Sequence, residues 1–218
     1  MRATAIVPVK RFERAKSRLT GSAVSAHRPE LAKAMLADVL LGLEESRLVE
    51  RIVVVSGEPD AVEIAARAGA DHLDDPADSG HNEAAMLGIA DAIEHDAECV
   101  ALLPGDCPLA EGFELDRELE AQAPGVAVIP DHHGDGTNGL ILAPPDAITP
   151  SFGPGSRDRH HRLAKEAGFR CRVATIPSLA LDLDTADDLD ALRAALGTDP
   201  ERAPATAAVL AELGDELR

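Results

Sequence analysis

The sequence predicts an α/β fold, a three-layer α/β/α sandwich around a mostly parallel sheet, with residues 1–218 forming a single domain. Short apolar or β-branched runs, such as IVVV at 52–55, alternate with longer segments of helical periodicity over most of the chain. Proline and glycine separate these segments, but no linker-like stretch divides the chain. This alternation is typical of a parallel sheet that is covered by helices on both faces.

Composition restricts the class of protein. The 218 residues are 45% hydrophobic but include four Phe and no Trp or Tyr, so the core must be built from Ala, Val, Leu and Ile. The formal net charge of −18 argues against nucleic acid as a partner, although a few cations or a metal could still hold an anionic small molecule. Cys99, Cys107 and Cys171 lack CxxC spacing, which indicates reduced thiols. We find no signal peptide and no apolar run that could cross a membrane, so we expect a soluble cytoplasmic protein with no membrane partner.

Apolar runs and breaker residues locate the individual elements. A stripe of Leu31, Met35, Val39 and Leu43 at helical spacing predicts the first helix, and Gly69 ends the second. Short apolar runs bounded by turn residues predict the strands. The predicted strands are 3–9, 51–55, 71–74, 99–103, 126–129, 140–142, 171–176 and 179–184. The predicted helices are 29–46, 59–68, 80–95, 113–122, 157–167, 186–196 and 203–217.

Charged residues follow two of the predicted strands. Asp106 follows the strand at 99–103 after a Pro-Gly break, in the stretch LLPGDCPL. Because open α/β sheets bind ligands at the carboxyl ends of their strands, this carboxylate is a candidate functional group, the alternative being an Asp that caps a tight turn. Lys10, Lys16 and Arg18 belong to a basic loop after the first strand, which is either an anion site or a solvated loop.

A second acidic segment, LDLD at 181–184, strengthens the case for Asp106. In a strand, Asp182 and Asp184 would share a face, because residues two apart point the same way. With Asp106 they form a set of three carboxylates suited to Mg²⁺, which prefers hard oxygen ligands and usually shares them with substrate phosphates. The alternative is that Asp184 and Thr185 only cap the next helix.

Two further loops could hold an anion. In FGPGS, Gly153 and Gly155 would let the backbone approach a ligand, and Ser156 would be the N-cap of the following helix. Such a cap is also common without a ligand. Thr137 and Asn138, in a glycine-rich loop, could add hydroxyl and amide hydrogen bonds to the same anion.

Asn82 and the histidines complete the set of candidate residues. Asn82 lies in GHNEA, a helix start that either caps the helix or presents backbone amides to a ligand. The adjacent pairs His132–His133 and His160–His161 lack the ligand spacing of a structural zinc site. We therefore expect these histidines to lie on the surface.

Six motifs occur in one order: VPVKRFERAKSRL, GHNEA, LLPGDCPL, DGTNGL, FGPGS with a His four residues after its Ser, and LDLDT. In this combination the sequence resembles the guanylyltransferase family of deazaflavin coenzyme F(420) biosynthesis, relatives of the molybdenum-cofactor nucleotidyltransferases. The resemblance covers essentially residues 1–196. It implies a nucleotide-diphospho-sugar transferase-like (Rossmann-like) fold and transfer of GMP from GTP to a phosphorylated three-carbon acid, with release of pyrophosphate.

The resemblance also implies roles for particular residues. Those that would hold Mg²⁺, and the acceptor through it, are Asp106, Asp182 and Asp184. Those that match the acceptor-binding motifs are Thr137, Gly153 and Ser156. Those that match the GTP side are Lys10, Lys16, Arg18 and Asn82. Asp106 and Lys16 would be the catalytic residues. Handover of the product to the next transferase of the pathway and a homodimer are further expectations.

The acceptor is the least determined part of the prediction. Phosphoenolpyruvate is preferred, as the acceptor implied for bacterial members, but nothing in Thr137, Gly153 or Ser156 separates it from 2-phospho-L-lactate or 3-phosphoglycerate. A metal-dependent glycosyltransferase would also use a DxD-bound metal, yet it would need a sugar site, often aromatic, for which this chain has few residues. A non-catalytic nucleotide-binding module is disfavoured by the three carboxylates.

Overall fold

The fold is seen in a computed structural model, which describes residues 2–14, 25–75, 77–132 and 134–216. The strands in these ranges are β1 (Ala3–Pro8), β2 (Val49–Ser56), β3 (Asp71–Asp74), β4 (Cys99–Leu102), β5 (Gly125–Ile129), β6 (Gly139–Ala143) and β7 (Cys171–Val173). The helices are α1 (Arg28–Glu44), α2 (Pro59–Arg67), α3 (His81–Glu94), α4 (Gly112–Glu120), α5 (Ser156–Glu166), α6 (Ala186–Thr198) and α7 (Pro204–Glu216). Each of these helices lies within a few residues of its predicted position.

The strands form one sheet in the order β3-β2-β1-β4-β6-β5-β7. β1 pairs in parallel with β2 and with β4, β2 with β3, and β5 with β7, whereas β6 runs antiparallel to both of its neighbours. The predicted mostly parallel sheet is therefore confirmed. After β3 the chain crosses to the other side of β1 to form β4. The order of the strands therefore reverses between β1 and β4. Open α/β sheets bind their ligands in the crevice at such a switch point.

Helices cover both faces of the sheet, which confirms the predicted three layers. Side chains alternate between the faces along each strand. In β1, Ala5 and Val7 join a buried cluster with residues of α1, α2, α4, α6 and α7. Ile6, between them, joins a second cluster with residues of α3 and α5. The sheet is thus the middle layer, and α3 and α5 form the layer that lies nearest to the predicted acceptor loops.

Close contacts between elements depend on small side chains and one buried carboxylate. Gly88 brings α3 against β1: a Cβ at this position would lie 2.4 Å from Ile6 Cγ2 and 3.1 Å from Val55 Cγ2. Asp38, buried in α1, accepts hydrogen bonds from the amides of Ala205 (3.0 Å) and Thr206 (2.7 Å) in the first turn of α7. The side chain of Asp38 in α1 therefore satisfies two backbone N–H donors at the start of α7, although these lie 167 and 168 residues further along the chain.

Two predicted strands near the end of the sheet are wrong in extent or in kind. The strand predicted at 171–176 ends at Val173, although the amide of Ala174 still donates to Val128 O (2.8 Å). The segment 179–184 is not a strand, because a single 3₁₀ turn at Pro177–Leu179 leads into residues without regular structure. The shared-face argument for Asp182 and Asp184 therefore fails, since it required a strand.

The three cysteines are free thiols, as predicted: Cys99 and Cys107 are buried and Cys171 is partly buried. Burial raises the pKa of the Cys99 thiol to about 12, and burial also raises the pKa of Cys171. Within the described ranges, no helix combines the length and the apolar character that crossing a membrane requires.

Candidate active site

The loops that follow β1 and β4 meet at the switch point. The Leu103 amide donates to Ile6 O (2.9 Å), which continues the pairing of the two strands beyond the end of β4. Gly105 then packs so closely that a Cβ there would lie 3.3 Å from Val9 Cγ2. Lys10 and Asp106 therefore emerge at the same edge of the sheet, which puts a cation and a carboxylate at the position where a nucleotide is expected.

The acidic segment 181–184 is attached to this edge by its backbone. The Leu183 amide donates to the carbonyl oxygen of Asp106 (3.4 Å), while the Leu183 side chain is buried. Asp182 and Asp184 flank Leu183, so all three predicted metal ligands belong to two adjoining stretches of backbone. Among the residues that the structure describes, however, no three His, Cys, Asp or Glu side chains form a group that could hold a metal ion.

Other polar side chains hold the carboxylate of Asp182. Asn138 Nδ2 donates to Asp182 Oδ1 (3.0 Å) and to Leu179 O (2.9 Å), and His132 Nδ1 lies 3.5 Å from Asp182 Oδ1. These two contacts use both N–H donors of the Asn138 side-chain amide. The prediction that this amide donates to the same anion as Thr137 is therefore wrong. Asn138 instead orients a carboxylate of the predicted metal set.

The helix cap next to the acidic segment is made by Thr185 and Asp188. The Thr185 hydroxyl accepts from the Asp188 amide, and the Asp188 carboxylate accepts from the Thr185 and Asp184 amides (2.6 and 3.0 Å). Burial alone would raise the pKa of Asp188, but these hydrogen bonds and nearby His132 hold that pKa below its usual range. The Asp184 carboxylate is not part of this capping box, so the capping alternative accounts for Thr185 but not for the side chain of Asp184.

A hydroxyl pair and a buried histidine lie at the start of α5. Ser156 Oγ lies 2.9 Å from Thr137 Oγ1, and Thr137 Oγ1 lies 3.2 Å from His160 Nδ1. The other ring nitrogen of His160 accepts the amide N–H of Ser151 (2.9 Å). His160 is completely buried, so the expectation that it lies on the surface is wrong. Burial, reinforced by the positive charge of Arg159, lowers its pKa from 6.5 to about 4.

The FGPGS loop has a different helix start from the one predicted. Gly155, not Ser156, is the N-cap of α5, and it needs a left-handed backbone with φ of 68°. Ser156 is the first helical residue, and its amide donates to Gly153 O (3.0 Å). The next amide, that of Arg157, donates to Asp135 O (3.2 Å). These two amides are therefore satisfied within the protein, in contrast to the open nest that the glycine pattern predicts.

Arg159 fixes the FGPGS loop from within α5. Its guanidinium donates to the carbonyl oxygens of Ser151 (2.9 Å) and Phe152 (3.2 Å) and to the hydroxyl of Ser151 (3.2 Å). The sequence does not single out Arg159, because α5 also carries Arg157 and Arg162 and their spacing gives no signal of what each contacts. The spacing of Ser156 and His160, noted among the sequence motifs, does predict their proximity, since residues four apart lie on one face of a helix.

Asn82 reaches the same loop from α3. Asn82 Oδ1 accepts the amide N–H of Phe152 (2.7 Å), and the Phe152 ring packs edge-on against the rings of His81 (4.7 Å between centroids) and His160 (5.3 Å). The pKa of His81 is lowered to about 4, mainly by burial and also by the positive charge of Lys10. The negative charge of Asp106 acts in the opposite direction and raises this pKa. The first turn of α3 therefore joins the edge with Lys10 and Asp106 to the loops around Thr137.

The structure thus places most of the predicted site residues in two adjoining groups. One group, at the switch point, comprises Lys10, Asp106, Asp182 and Asp184. The other group, around the start of α5, comprises Thr137, Gly153 and Ser156, with Asn82 joined to it. Lys16 and Arg18 lie outside the described residues.

Comparison with known proteins agrees with this arrangement. A family profile described as "Guanylyl transferase CofC like" matches residues 3–197. The chain is similar to the phosphoenolpyruvate guanylyltransferase of Conexibacter woesei, with 48% identity over 192 residues that cover 87% of this chain and 86% of that protein. It is also similar to the phosphoenolpyruvate guanylyltransferase of Sphaerobacter thermophilus, with 39% identity over 194 residues (88% and 93%).

Solved structures with low sequence identity share the fold. A proposed nucleotide-diphospho-sugar transferase from Desulfovibrio desulfuricans G20 matches with a TM-score of 0.73 at 18% identity, covering 97% of this chain and 95% of that one. A nucleotidyl transferase from Methanothermobacter matches with a TM-score of 0.68 at 16% identity (91% and 99%). The predicted nucleotide-diphospho-sugar transferase-like fold is therefore confirmed.

Proposed function

Because the chain belongs to the guanylyl transferase family that matches residues 3–197, we propose that it transfers GMP from GTP to phosphoenolpyruvate. The products are pyrophosphate and enolpyruvoyl-2-diphospho-5'-guanosine, an intermediate for coenzyme F(420) biosynthesis. Two relatives with 48% and 39% identity carry the name phosphoenolpyruvate guanylyltransferase. The structural observation that carries the proposal is the contact of the Leu183 amide with Asp106 O, which puts the acidic segment at the switch point.

The chemistry needs positioning more than proton transfer. The phosphate of the acceptor is already ionised at neutral pH, so its oxygen can attack the α-phosphorus of GTP without a general base. The new bond joins this oxygen to the α-phosphorus, and the bond between the α-phosphorus and the bridging oxygen of the leaving pyrophosphate breaks. Catalysis then consists of aligning two anions and neutralising their charge. Lys10 is well placed to contribute to that neutralisation at the edge of the sheet, and we propose that Lys16 and Arg18 contribute as well.

We propose Mg²⁺ as the cofactor. Asp106, Asp182 and Asp184 are the carboxylates that would hold this ion, which prefers hard oxygen ligands, and Asn138 holds the carboxylate of Asp182 in place. Mg²⁺ usually takes only one or two protein carboxylates and completes its coordination with substrate phosphates, so these residues fit an ion that binds together with the triphosphate. When bound, it would supply positive charge beside the α-phosphate and the leaving pyrophosphate.

The acceptor would lie beside the start of α5. Thr137 is half-buried and Ser156 is buried, so the hydroxyl that a ligand can contact is that of Thr137. The side-chain oxygen of Asn82, a residue assigned to the GTP side by resemblance, accepts a hydrogen bond from the FGPGS loop. We therefore propose that Asn82 holds the loop for the acceptor in position relative to the GTP side of the site. Cytoplasmic location, a homodimer and handover to the next transferase stay predictions.

Pyrophosphate release tests the proposed function directly. GTP and Mg²⁺ are supplied with phosphoenolpyruvate, 2-phospho-L-lactate or 3-phosphoglycerate in separate reactions, with the next transferase of the pathway present to remove the product. We expect release with phosphoenolpyruvate and little with the other two acids. Release with only 2-phospho-L-lactate or 3-phosphoglycerate would correct the acceptor. No release with any of them, from folded protein that binds GTP, would contradict the proposal.

A further inference from the structure

His160 has its two ring nitrogens in fixed and opposite roles. Nε2 lies 2.9 Å from the backbone nitrogen of Ser151, which can only donate, so Nε2 must carry the lone pair. The ring is neutral at pH 7, because burial lowers its pKa to about 4. The single proton of the neutral ring must therefore lie on Nδ1. Nδ1–H then donates to Thr137 Oγ1, 3.2 Å away.

This tautomer and the donation from the Ser156 hydroxyl to Thr137 together determine where the Thr137 proton points. A hydroxyl has one proton and two lone pairs. Thr137 Oγ1 accepts from His160 Nδ1 and from Ser156 Oγ (2.9 Å), so both of its lone pairs are occupied. Its own proton has no place within this trio and must point away from it. Ser156 is completely buried whereas Thr137 is half-buried, so the outward-pointing proton belongs to the residue that a ligand can reach.

The opposite tautomer would reverse the hydrogen-bonding character of Thr137 towards a ligand. If Nδ1 carried the lone pair, Thr137 would donate to His160 and Ser156 would donate to Thr137. Both hydroxyl protons would then be used, and Thr137 would present a lone pair to the ligand. A lone pair repels a carboxylate or phosphate oxygen, whereas an O–H group binds it. The hydrogen bond from Ser151 to His160 thus decides whether this site attracts or repels an anion.

We propose that His160 is a positioning residue that makes Thr137 a hydrogen-bond donor to an anionic oxygen of the acceptor. This inference rests on the proposed function, because that function places a phosphorylated acid at Thr137. His160 does not contact the acceptor itself. It sets the direction of one proton, and that direction selects for an anionic group at this position and against a hydrogen-bond donor.

The first test reads the tautomer in the unmodified protein. Long-range ¹H–¹⁵N spectra of protein labelled at histidine distinguish a ring protonated on Nδ1 from one protonated on Nε2, with His160 assigned through bonds. We expect the Nδ1–H form throughout the range from neutral to mildly acidic pH, where exposed histidines titrate. An Nε2–H ring, or a ring that becomes charged near the usual histidine pKa, would overturn the inference. This readout does not depend on which acceptor the enzyme uses.

The second test uses kinetics of two variants. His160→Phe keeps a ring of similar shape but removes both nitrogens, and we expect the KM for the acceptor to rise about tenfold to a hundredfold. The KM for GTP should stay unchanged. His160→Asn, whose amide can again donate towards Thr137, should recover part of the loss. His161→Phe is the matched control, because His161 is the exposed neighbour on the same helix.

A double-mutant cycle separates positioning of the proton from support of the loop. Thr137→Val removes the hydroxyl at nearly constant shape. If His160 acts through that hydroxyl, His160→Phe should add little to the KM effect of Thr137→Val. Additive effects would mean that His160 acts only through Ser151, and they would overturn the inference. If instead the unmodified enzyme releases no pyrophosphate with any phosphorylated acid, the proposed function fails and the role towards the acceptor fails with it. The tautomer measurement then still tests the direction of the Thr137 proton.

Discussion

Asn82 Oδ1 accepts the backbone N–H of Phe152 at 2.7 Å, which joins the first turn of α3 to the FGPGS loop 70 residues along the chain. The Phe152 ring lies edge-on to both His81 and His160, so this one loop residue contacts elements on both sides of the site. Asn82 therefore supports the FGPGS loop, although its position in a helix start suggested either a cap or a contact with a ligand.

Asn82→Ala should weaken binding of the acceptor more than binding of GTP. The substitution leaves the Phe152 amide without its partner, and we expect the KM for the acceptor to rise about tenfold. Asn82→Asp keeps an acceptor oxygen at the same place and is the matched control. Steady-state kinetics with each substrate varied in turn measure both KM values. A rise in the KM for GTP alone would show that Asn82 acts on the nucleotide.

Asp106→Ala should remove turnover without unfolding the protein. Losing this carboxylate at the switch point should lower kcat by about a hundredfold or more, since preorganised charge is a large part of such catalysis. The measurement is pyrophosphate release, with circular dichroism as the check on folding. Asp146→Ala, at an exposed position, changes the net charge equally and should keep full activity. Full activity in Asp106→Ala would contradict the proposed role.

Asp38→Ala should destabilise the fold through α7. Burial raises the pKa of Asp38, while hydrogen bonds from Thr206 and Ala205 lower it, so this carboxyl is desolvated but well paired. Removing it leaves the buried amide of Thr206 and the partly buried amide of Ala205 without this partner, and we expect a loss of about 1–3 kcal/mol in the free energy of unfolding. Asp38→Asn keeps one oxygen and should lose less. Urea titration measures both losses, and an unchanged midpoint for Asp38→Ala would show that α7 does not depend on this cap.

Gly88→Ala and Gly197→Ala should have opposite effects on stability, although both glycines lie in helices. The Cβ that Gly88→Ala introduces would collide with Ile6 Cγ2, and overpacking of this kind costs about 1–3 kcal/mol. Nothing lies within 4 Å of a Cβ at residue 197, so Gly197→Ala should stabilise α6 by about 0.5–1 kcal/mol. Thermal unfolding compares the two variants. Combining Gly88→Ala with Ile6→Ala should give a smaller loss than the sum of the two single losses.

His160 should make stability depend on pH on the acidic side. Its pKa in the folded protein is about 4, below the usual 6.5, so the unfolded chain binds the proton more tightly. Stability is therefore lost as pH falls from 6.5 towards 4, with a contribution of roughly 1–3 kcal/mol at the lower limit. Urea unfolding at about pH 7 and about pH 4.5 measures this loss. The loss should be smaller in His160→Phe, and an equal loss in both proteins would show that other groups cause it.

The sequence by itself determined the elements of the fold and the types of residue in the site. Local patterns decide where a helix or strand begins, so the alternating elements, the Pro-Gly break before Asp106 and the glycines of FGPGS were all recognisable. The combined motifs also indicated the family correctly. These features depend on residues close together in the chain, and a single sequence records them directly.

Tertiary structure decided which side chains meet and in what state. Whether 179–184 pairs as a strand depends on a neighbouring strand, not on its own alternation, so the shared face of Asp182 and Asp184 was wrong. The burial of His160, the turning of Asn138 towards Asp182 and the reach of Asn82 to Phe152 each depend on a partner far along the chain. A hydrogen bond between distant residues leaves no periodic pattern in the sequence. The direction of the Thr137 proton is even harder to predict from the sequence, because it depends on three hydrogen bonds together.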